Sequence, residues 1–280
     1  MPFLELFDET LDINSTENYE LSVQLSPDGF AFTILDTIRN KYILLRSGEP
    51  EDNKYFSADR MSEIITKDDF LTRRYRKVNV VMPSPKFTIV PAPLFDPGKK
   101  EDYFSFNLNR DENDVIIANK IADPDAYAVF SVTRSLLGVA SHFWPSIFPV
   151  HHTKPLMHQL AYLSRSIDGF YIHVHIEKEF FNILVYEHRA LKFSNTFSYR
   201  NITDILYYVL NVYKTMGISR DESLHFSGQT SKYDDIWSGF AMYIRNLKFT
   251  DPSGSFTFSY VFNELGLHRF INLFSVASCE

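Results

Sequence analysis

The sequence predicts an α/β protein made of two similar halves, each a mixed sheet flanked by helices. Three observations carry that reading. A three-strand meander followed by a helix occurs early in the chain and again about half a chain later. Four apolar positions of the first meander recur in the second at a constant spacing of 151 residues. A further strand follows each helix, so a crossover must place it parallel to a strand of the meander.

In YELSVQLSPDGFAFTILD, residues 19–36, Leu21, Val23 and Leu25 alternate with Ser22, Gln24 and Ser26. Period two marks a strand with one apolar face. Ser-Pro-Asp-Gly supplies turn residues, Phe30, Phe32 and Ile34 begin the second strand, and KYILLRS gives the third. SADRMSEIITKDDFLTRRY reads as the helix. The run Arg73–Lys77, RRYRK, is expected in its exposed last turn, where cations suit the helix dipole. KVNVVMP is the strand after it; KFTIVP, a helical FDPGKKEDYFSFNL, and the strands DVIIANKI and AYAVFSV complete a first half expected to span 1–132.

The remainder, 133–280, is expected to hold connecting helices and the second half, with the boundary falling between 132 and 168. TRSLLGVASHFWPSIFPVHHTKPLMHQLAYLSR reads as mainly helical, with a strand near Phe148. In DGFYIHVHIEKEFFNILVYEH, residues 168–188, Ile172, Val174 and Ile176 alternate with His173, His175 and Glu177. Phe181, Ile183 and Val185 start the next strand and RALKFSNTF the third. Asn201 is a good N-cap for a helix whose Ile202, Ile205, Leu206, Val209 and Tyr213 keep helical spacing, and Gly217 is placed to end it. SLHFSG is the strand after that helix; KYDDIWSGFAMYIRN, short strands near LKF and SFTFSY, and a terminal helix from NELGLHRF follow. Leu21 matches Ile172, Val23 matches Val174, Phe32 matches Ile183 and Ile34 matches Val185, without a gap across two strands and their turn. Internal duplication explains that register.

Composition narrows the function classes. At 45% hydrophobic, with 26 Phe and 16 Tyr, the chain has ample material for a core. A net charge of -7 argues against nucleic acid as a partner, since phosphate binding needs an excess of Lys and Arg. Cys279 is the single cysteine, so no disulfide framework or thiolate metal cluster can form within one chain. The acidic N-terminus does not read as a signal peptide, and no run of about 18 uncharged apolar residues exists. A cytoplasmic protein without membrane insertion is expected. The surplus of aromatics suggests an interaction surface, with YVLNVYKTMG, FWPSIF and the C-terminal segment as candidates.

Two such halves resemble the actin-like ATPase superfamily, in which two ribonuclease-H-like domains hold a nucleotide between them. The whole chain is also similar to an uncharacterised bacterial family, domain of unknown function 3822, through the order of its halves, FDPGKKEDYFSFN and the ending HRFINLFSVASCE. That resemblance implies the actin-like fold and brings no activity with it.

Active superfamily members carry an Asp-x-Gly type loop on the hairpin of each half, for phosphate and Mg²⁺, and a glycine pair for adenosine. Here Gln24 and Ser26 stand where Asp-x-Gly is expected, with Asp28-Gly29 two residues on, where turn formation is their simpler role. The second hairpin offers His175, Glu177 and Glu179 and no glycine, and HFSGQT offers Gly228 alone. Gln24, Ser26, Asp28, Gly29, His175, Glu177 and Gly228 are therefore the candidate residues of a degenerate nucleotide cleft.

Other chemistry is thinner. No phosphate-binding glycine loop, G-x-S-x-G elbow or H-E-x-x-H occurs. His173, His175 and Glu177 share one strand face, too few ligands for a metal, so the polar face of an amphipathic strand is the simpler reading. His151-His152 precede a helix start with Pro155 in its first turn. Asp68-Asp69, Asp234-Asp235 and the RDEND run at Arg110–Asp114 read as solvated surface, and Trp144 and Trp237 as core or interface. The function expected is a non-catalytic scaffold for a protein partner, with no cofactor. The alternative is an ATP-binding or kinase-like protein using Mg-ATP through Asp28, Gly29 and Gly228; a third is a cleft for another small ligand.

Overall fold

The computed structural model describes residues 3–50 and 55–279. The first half opens with β1 (Phe3–Phe7), the meander β2 (Tyr19–Ser26), β3 (Gly29–Asp36) and β4 (Lys41–Gly48), helix α1 (Ala58–Lys67) and β5 (Lys77–Met82). Then come β6 (Phe87–Pro91), α2 (Lys100–Asn107), β7 (Asp114–Ile121), β8 (Ala126–Thr133), α3 (Arg134–Phe143), the short β9 (Val150–His151) and α4 (Thr153–Ser164). The second meander is β10 (Phe170–Ile176), β11 (Phe180–Glu187) and β12 (Ala190–Ser198), followed by α5 (Ile202–Thr215), β13 (Leu224–Gly228), α6 (Asp235–Ala241), β14 (Leu247–Phe249), β15 (Thr257–Phe258) and α7 (Ile271–Val276).

One sheet has the order β1-β4-β3-β2-β5-β9, with β15 also on β4; another runs β12-β11-β10-β13-β14. The repeat is visible in the pairing. Leu21 faces Ile34 and Val23 faces Phe32; 151 residues on, Ile172 faces Val185 and Val174 faces Ile183. β5 adds to β2 in parallel as β13 adds to β10. Even the irregularity recurs: the ladder shifts between Ile34 and Leu35 in one half and between Val185 and Tyr186 in the other. The two shifts fall at equivalent positions, 151 residues apart.

Each meander buries one apolar face under its helix. Leu21, Val23, Phe32 and Ile34 pack with Met61 and Ile65 of α1; Ile172, Val174, Ile183 and Val185 pack with Ile205 and Val209 of α5. Helix α5 starts at a reciprocal cap between Asn201 and Asp204. Helix α1 stops earlier than its sequence suggests. The Asp68 carboxylate accepts from the N–H groups of Phe70 (2.8 Å) and Leu71 (3.1 Å), and this local turn competes with the helical ladder. Arg73, Arg74 and Arg76 therefore lie in a loop leading to β5 and not in a helical turn, although they are exposed as expected.

Three strands expected within the first half form their own antiparallel sheet, β6-β8-β7. One of its faces packs Ile116 and Val129 on Phe104 of α2; the other contributes Ile117, Phe130 and Val132 to the first core. Among the described residues, the second half has no counterpart to it. The C-terminal segment returns to the first sheet. β15 pairs with β4, Phe256, Phe258 and Phe274 pack against the Tyr42 ring, and the Tyr42 hydroxyl donates to the Phe274 carbonyl at 2.6 Å. These C-terminal rings are thus core, not an aromatic surface. Helix formation there also begins late: residues 267–270 are a 3₁₀ turn and α7 starts at Ile271. Among the described residues, no helix is long and apolar enough to cross a membrane.

Candidate functional site

The hairpin tips β2–β3 and β10–β11, the end of β13 and the 3₁₀ turn before α7 converge on a cleft of about 390 Å³. Equivalent positions meet there: Ser26 pairs with Gly29 on one tip, and the Glu177 N–H donates to the Phe180 carbonyl at 2.9 Å on the other. Gln24, Ser26, Asp28, Gly29, Glu177 and Gly228 all line the cleft. His175 lies beneath it, 1% exposed, and meets the Glu177 carboxylate through Nε2 at 3.1 Å.

Each candidate has a local task. Asp28 accepts from the Ser26 hydroxyl across the two-residue turn. Gly228 has a φ of +83°, and a Cβ there would sit 2.0 Å from the Ile176 carbonyl oxygen. That close approach of two backbones requires glycine. The N–H groups of Gln229 and Thr230 are donated to the carbonyls of Ile176 and Gly228, both at 2.8 Å.

Two lining residues escaped the sequence reading. Glu49 follows β4, and Arg269 comes from the 3₁₀ turn before α7. Arg269 is exposed and forms no carboxylate ion pair among the described residues. Nothing local marks either one; the return of the C-terminal segment to the first sheet puts Arg269 there. The cleft thus carries the carboxylates of Asp28, Glu49 and Glu177 against one guanidinium.

Below the cleft runs a buried polar layer. Ser227 bonds both His175 Nδ1 (2.7 Å) and His173 Nε2 (2.8 Å), and His173 Nδ1 meets Thr250 at 3.2 Å. Asn272 of α7 bonds His175 Nε2 at 3.1 Å. Ser227, His175 and Glu177 follow the order of a nucleophile relay, but Ser227 is fully buried and shared by two imidazoles, so no substrate carbonyl reaches it. The rings of His173 and His175 are satisfied by hydroxyl, amide and carboxylate groups, which accounts for their shared strand face without a ligand.

His151 and His152 point to different halves. His151 Nε2 donates to the Ser84 carbonyl at 3.0 Å and Nδ1 meets the Thr153 hydroxyl at 2.6 Å, while His152 Nε2 meets Asn182 of β11 at 2.8 Å. Burial holds His151 down to about 3, against the pull of the Ser84 carbonyl, and pushes His152 and His173 well below the usual histidine range. Burial likewise lowers His225 to about 4.

The acidic clusters are partly structural. Asp234 caps α6 by accepting from the Trp237 N–H at 2.7 Å. Asp114 is buried and, with Asp111, faces Lys86, so the RDEND run is not merely solvated. Trp144 is core, donating to the Leu71 carbonyl at 3.2 Å, and Trp237 packs on Phe249.

Comparison with known proteins agrees with this architecture. A Bacteroides thetaiotaomicron crystal structure of a protein with actin-like ATPase fold and unknown function matches with TM-score 0.83 at 22% identity, covering 97% of this chain and 100% of that one. The PilM-PilN type IV pilus biogenesis complex matches with TM-score 0.58 at 12% identity, covering 92% and 96%. At such identities the likeness establishes the fold, which is the actin-like ATPase fold. No curated protein matches. The family described as Protein of unknown function (DUF3822) matches residues 8–247, and the chain belongs to that family.

Proposed function

We propose that the protein is a non-catalytic actin-like scaffold that binds a protein partner, with a cleft that has lost its suitability for Mg-nucleotide. The observation that carries the reading is the charge of the cleft: Asp28, Glu49 and Glu177 against Arg269. A phosphate oxygen brought within about 4 Å of a carboxylate with no divalent cation between them meets a repulsion of roughly 1–4 kcal/mol at surface dielectrics. A triphosphate site also needs free backbone N–H groups, and those of Glu177, Gln229 and Thr230 are already donated within the chain. Likeness in fold to a pilus biogenesis complex adds support for a partner-binding role.

The alternative, an ATP-binding protein, draws on one observation, an Arg269 in the cleft with no carboxylate partner among the described residues. Calorimetric titration with Mg-ATP and Mg-ADP separates the two. The scaffold reading expects millimolar or absent binding and no hydrolysis above background, since each lost charge-assisted contact removes about 1.5–3 kcal/mol. Micromolar binding abolished by Asp28→Ala or Arg269→Ser would overturn it in favour of the alternative.

A further inference from the structure

The loop between α1 and β5 carries Arg73, Arg74 and Arg76, all exposed. None of the three has a carboxylate partner among the described residues. Arg73 Nε donates to the Asp69 carbonyl at 3.2 Å and Arg76 Nη1 to the Thr37 hydroxyl at 3.2 Å. Several cations of the same half sit on carboxylates: Lys41 on Asp8, Arg46 on Asp68, Lys86 on Asp111. With a net charge of -7, acidic partners are not scarce, yet these three guanidiniums, within four positions of one another, have none among the described residues.

The loop is also rigidly held. Tyr75 is half-buried and donates to the Phe70 carbonyl at 3.0 Å, the Arg76 N–H donates to the Tyr19 carbonyl at 3.0 Å, and Trp144 clamps the Leu71 carbonyl. Preorganised side-chain bases lower the ordering cost of binding. The contact from Arg76 to Thr37 places the loop against the β3–β4 turn, whose next residue, Ile38, is 74% exposed.

We infer that Arg73, Arg74, Arg76 and Ile38 form the docking surface for an acidic, extended segment of the partner, its carboxylates on the guanidiniums and an apolar side chain on Ile38. This rests on the scaffold reading. Guanidinium forks match planar carboxylates in two-pronged contacts, and the adjoining isoleucine offers the apolar contact between them. An anionic bilayer fits less well. It is a plane and would meet the exposed Glu17 and Asp69 beside the arginines, whereas a single peptide strand is narrow enough to pass them. The surface lies at the end of the first sheet opposite the Ser26–Gly29 hairpin, so a docked segment leaves the cleft open.

The test titrates the full chain into a short fluorescein-labelled peptide of alternating glutamate and leucine, read by anisotropy. Saturable binding that weakens with salt is expected, falling about tenfold or more in Arg73→Ser/Arg74→Ser/Arg76→Ser and severalfold in Ile38→Ser, with melting temperatures unchanged. A peptide with glutamine in place of glutamate should not bind. Absent binding to the wild-type chain, or binding unchanged in the triple variant, overturns the inference. So does cosedimentation with phosphatidylglycerol vesicles that the triple variant loses while peptide binding is nil. A cellular partner retained equally by wild type and triple variant would sink the docking surface and leave the scaffold standing; micromolar Mg-ATP binding would sink the scaffold whatever the peptide does.

Discussion

Gly228 shows how one residue can look functional and be required for another reason. Sequence alone offers it as an adenosine glycine or a strand terminator. With its Cβ position 2.0 Å from the Ile176 oxygen and φ at +83°, no side chain fits. Gly228→Ala should cost about 3 kcal/mol or more, lowering the melting temperature by roughly 6–12 °C for a chain of this size. A shift under about 2 °C would mean the two strands can part there. Nucleotide tests belong instead on Asp28 and Arg269, which line the cleft without closing backbone contacts.

At the scale of elements, the informative piece is the C-terminal segment. It leaves the second sheet after β14, pairs β15 with β4 and seats α7 beside Tyr42. Along that path Asp8, at the end of β1, accepts from both Lys41 and Ser259 at 2.6 Å. Tyr42 is wholly buried, so Tyr42→Phe leaves the Phe274 carbonyl without its donor and should cost about 1–2 kcal/mol in urea unfolding. Tyr260 is 61% exposed, and Tyr260→Ala should stay within about 0.5 kcal/mol. Equal effects of the two would argue against this docking. Helix α1 makes the complementary point. Its periodicity ran on past Lys67, and the Asp68 turn ended it, which moved the arginine run from a helix into a clamped loop.

At the scale of the whole molecule, a polar layer of buried histidines joins the halves and couples stability to pH. Burial keeps His151, His152, His173 and His225 neutral in the folded chain, with His151 at about 3 and His225 at about 4. In the unfolded chain each takes up a proton near about 6.5. The unfolded state therefore binds more protons below that value, and folding stability, intact above it, falls as the pH drops. Each histidine contributes at most about 1.4 kcal/mol per pH unit. Melting temperature should fall by about 10 °C or more between about pH 7.5 and about pH 5.5, and a flat profile would place these rings in contact with water.

What the sequence determined by itself was the repeat and the class of fold. Alternation at Leu21, Val23, Ile172 and Val174 is a local consequence of one strand face being buried, and a shift by one residue would turn every side chain to the wrong face. Such information is written at short range, and the constant spacing of 151 residues carried it across the chain. Six candidate residues that the resemblance to the actin-like superfamily picked out line the cleft. Only the tertiary structure decided the rest. The separate sheet β6-β8-β7, the arrival of Arg269 in the cleft, the C-terminal aromatics around Tyr42 and the proximity of Ile38 to Arg76 depend on segments far apart in sequence. Their positions follow from which apolar faces remain to be covered once each meander and helix have packed, a quantity that no local pattern contains.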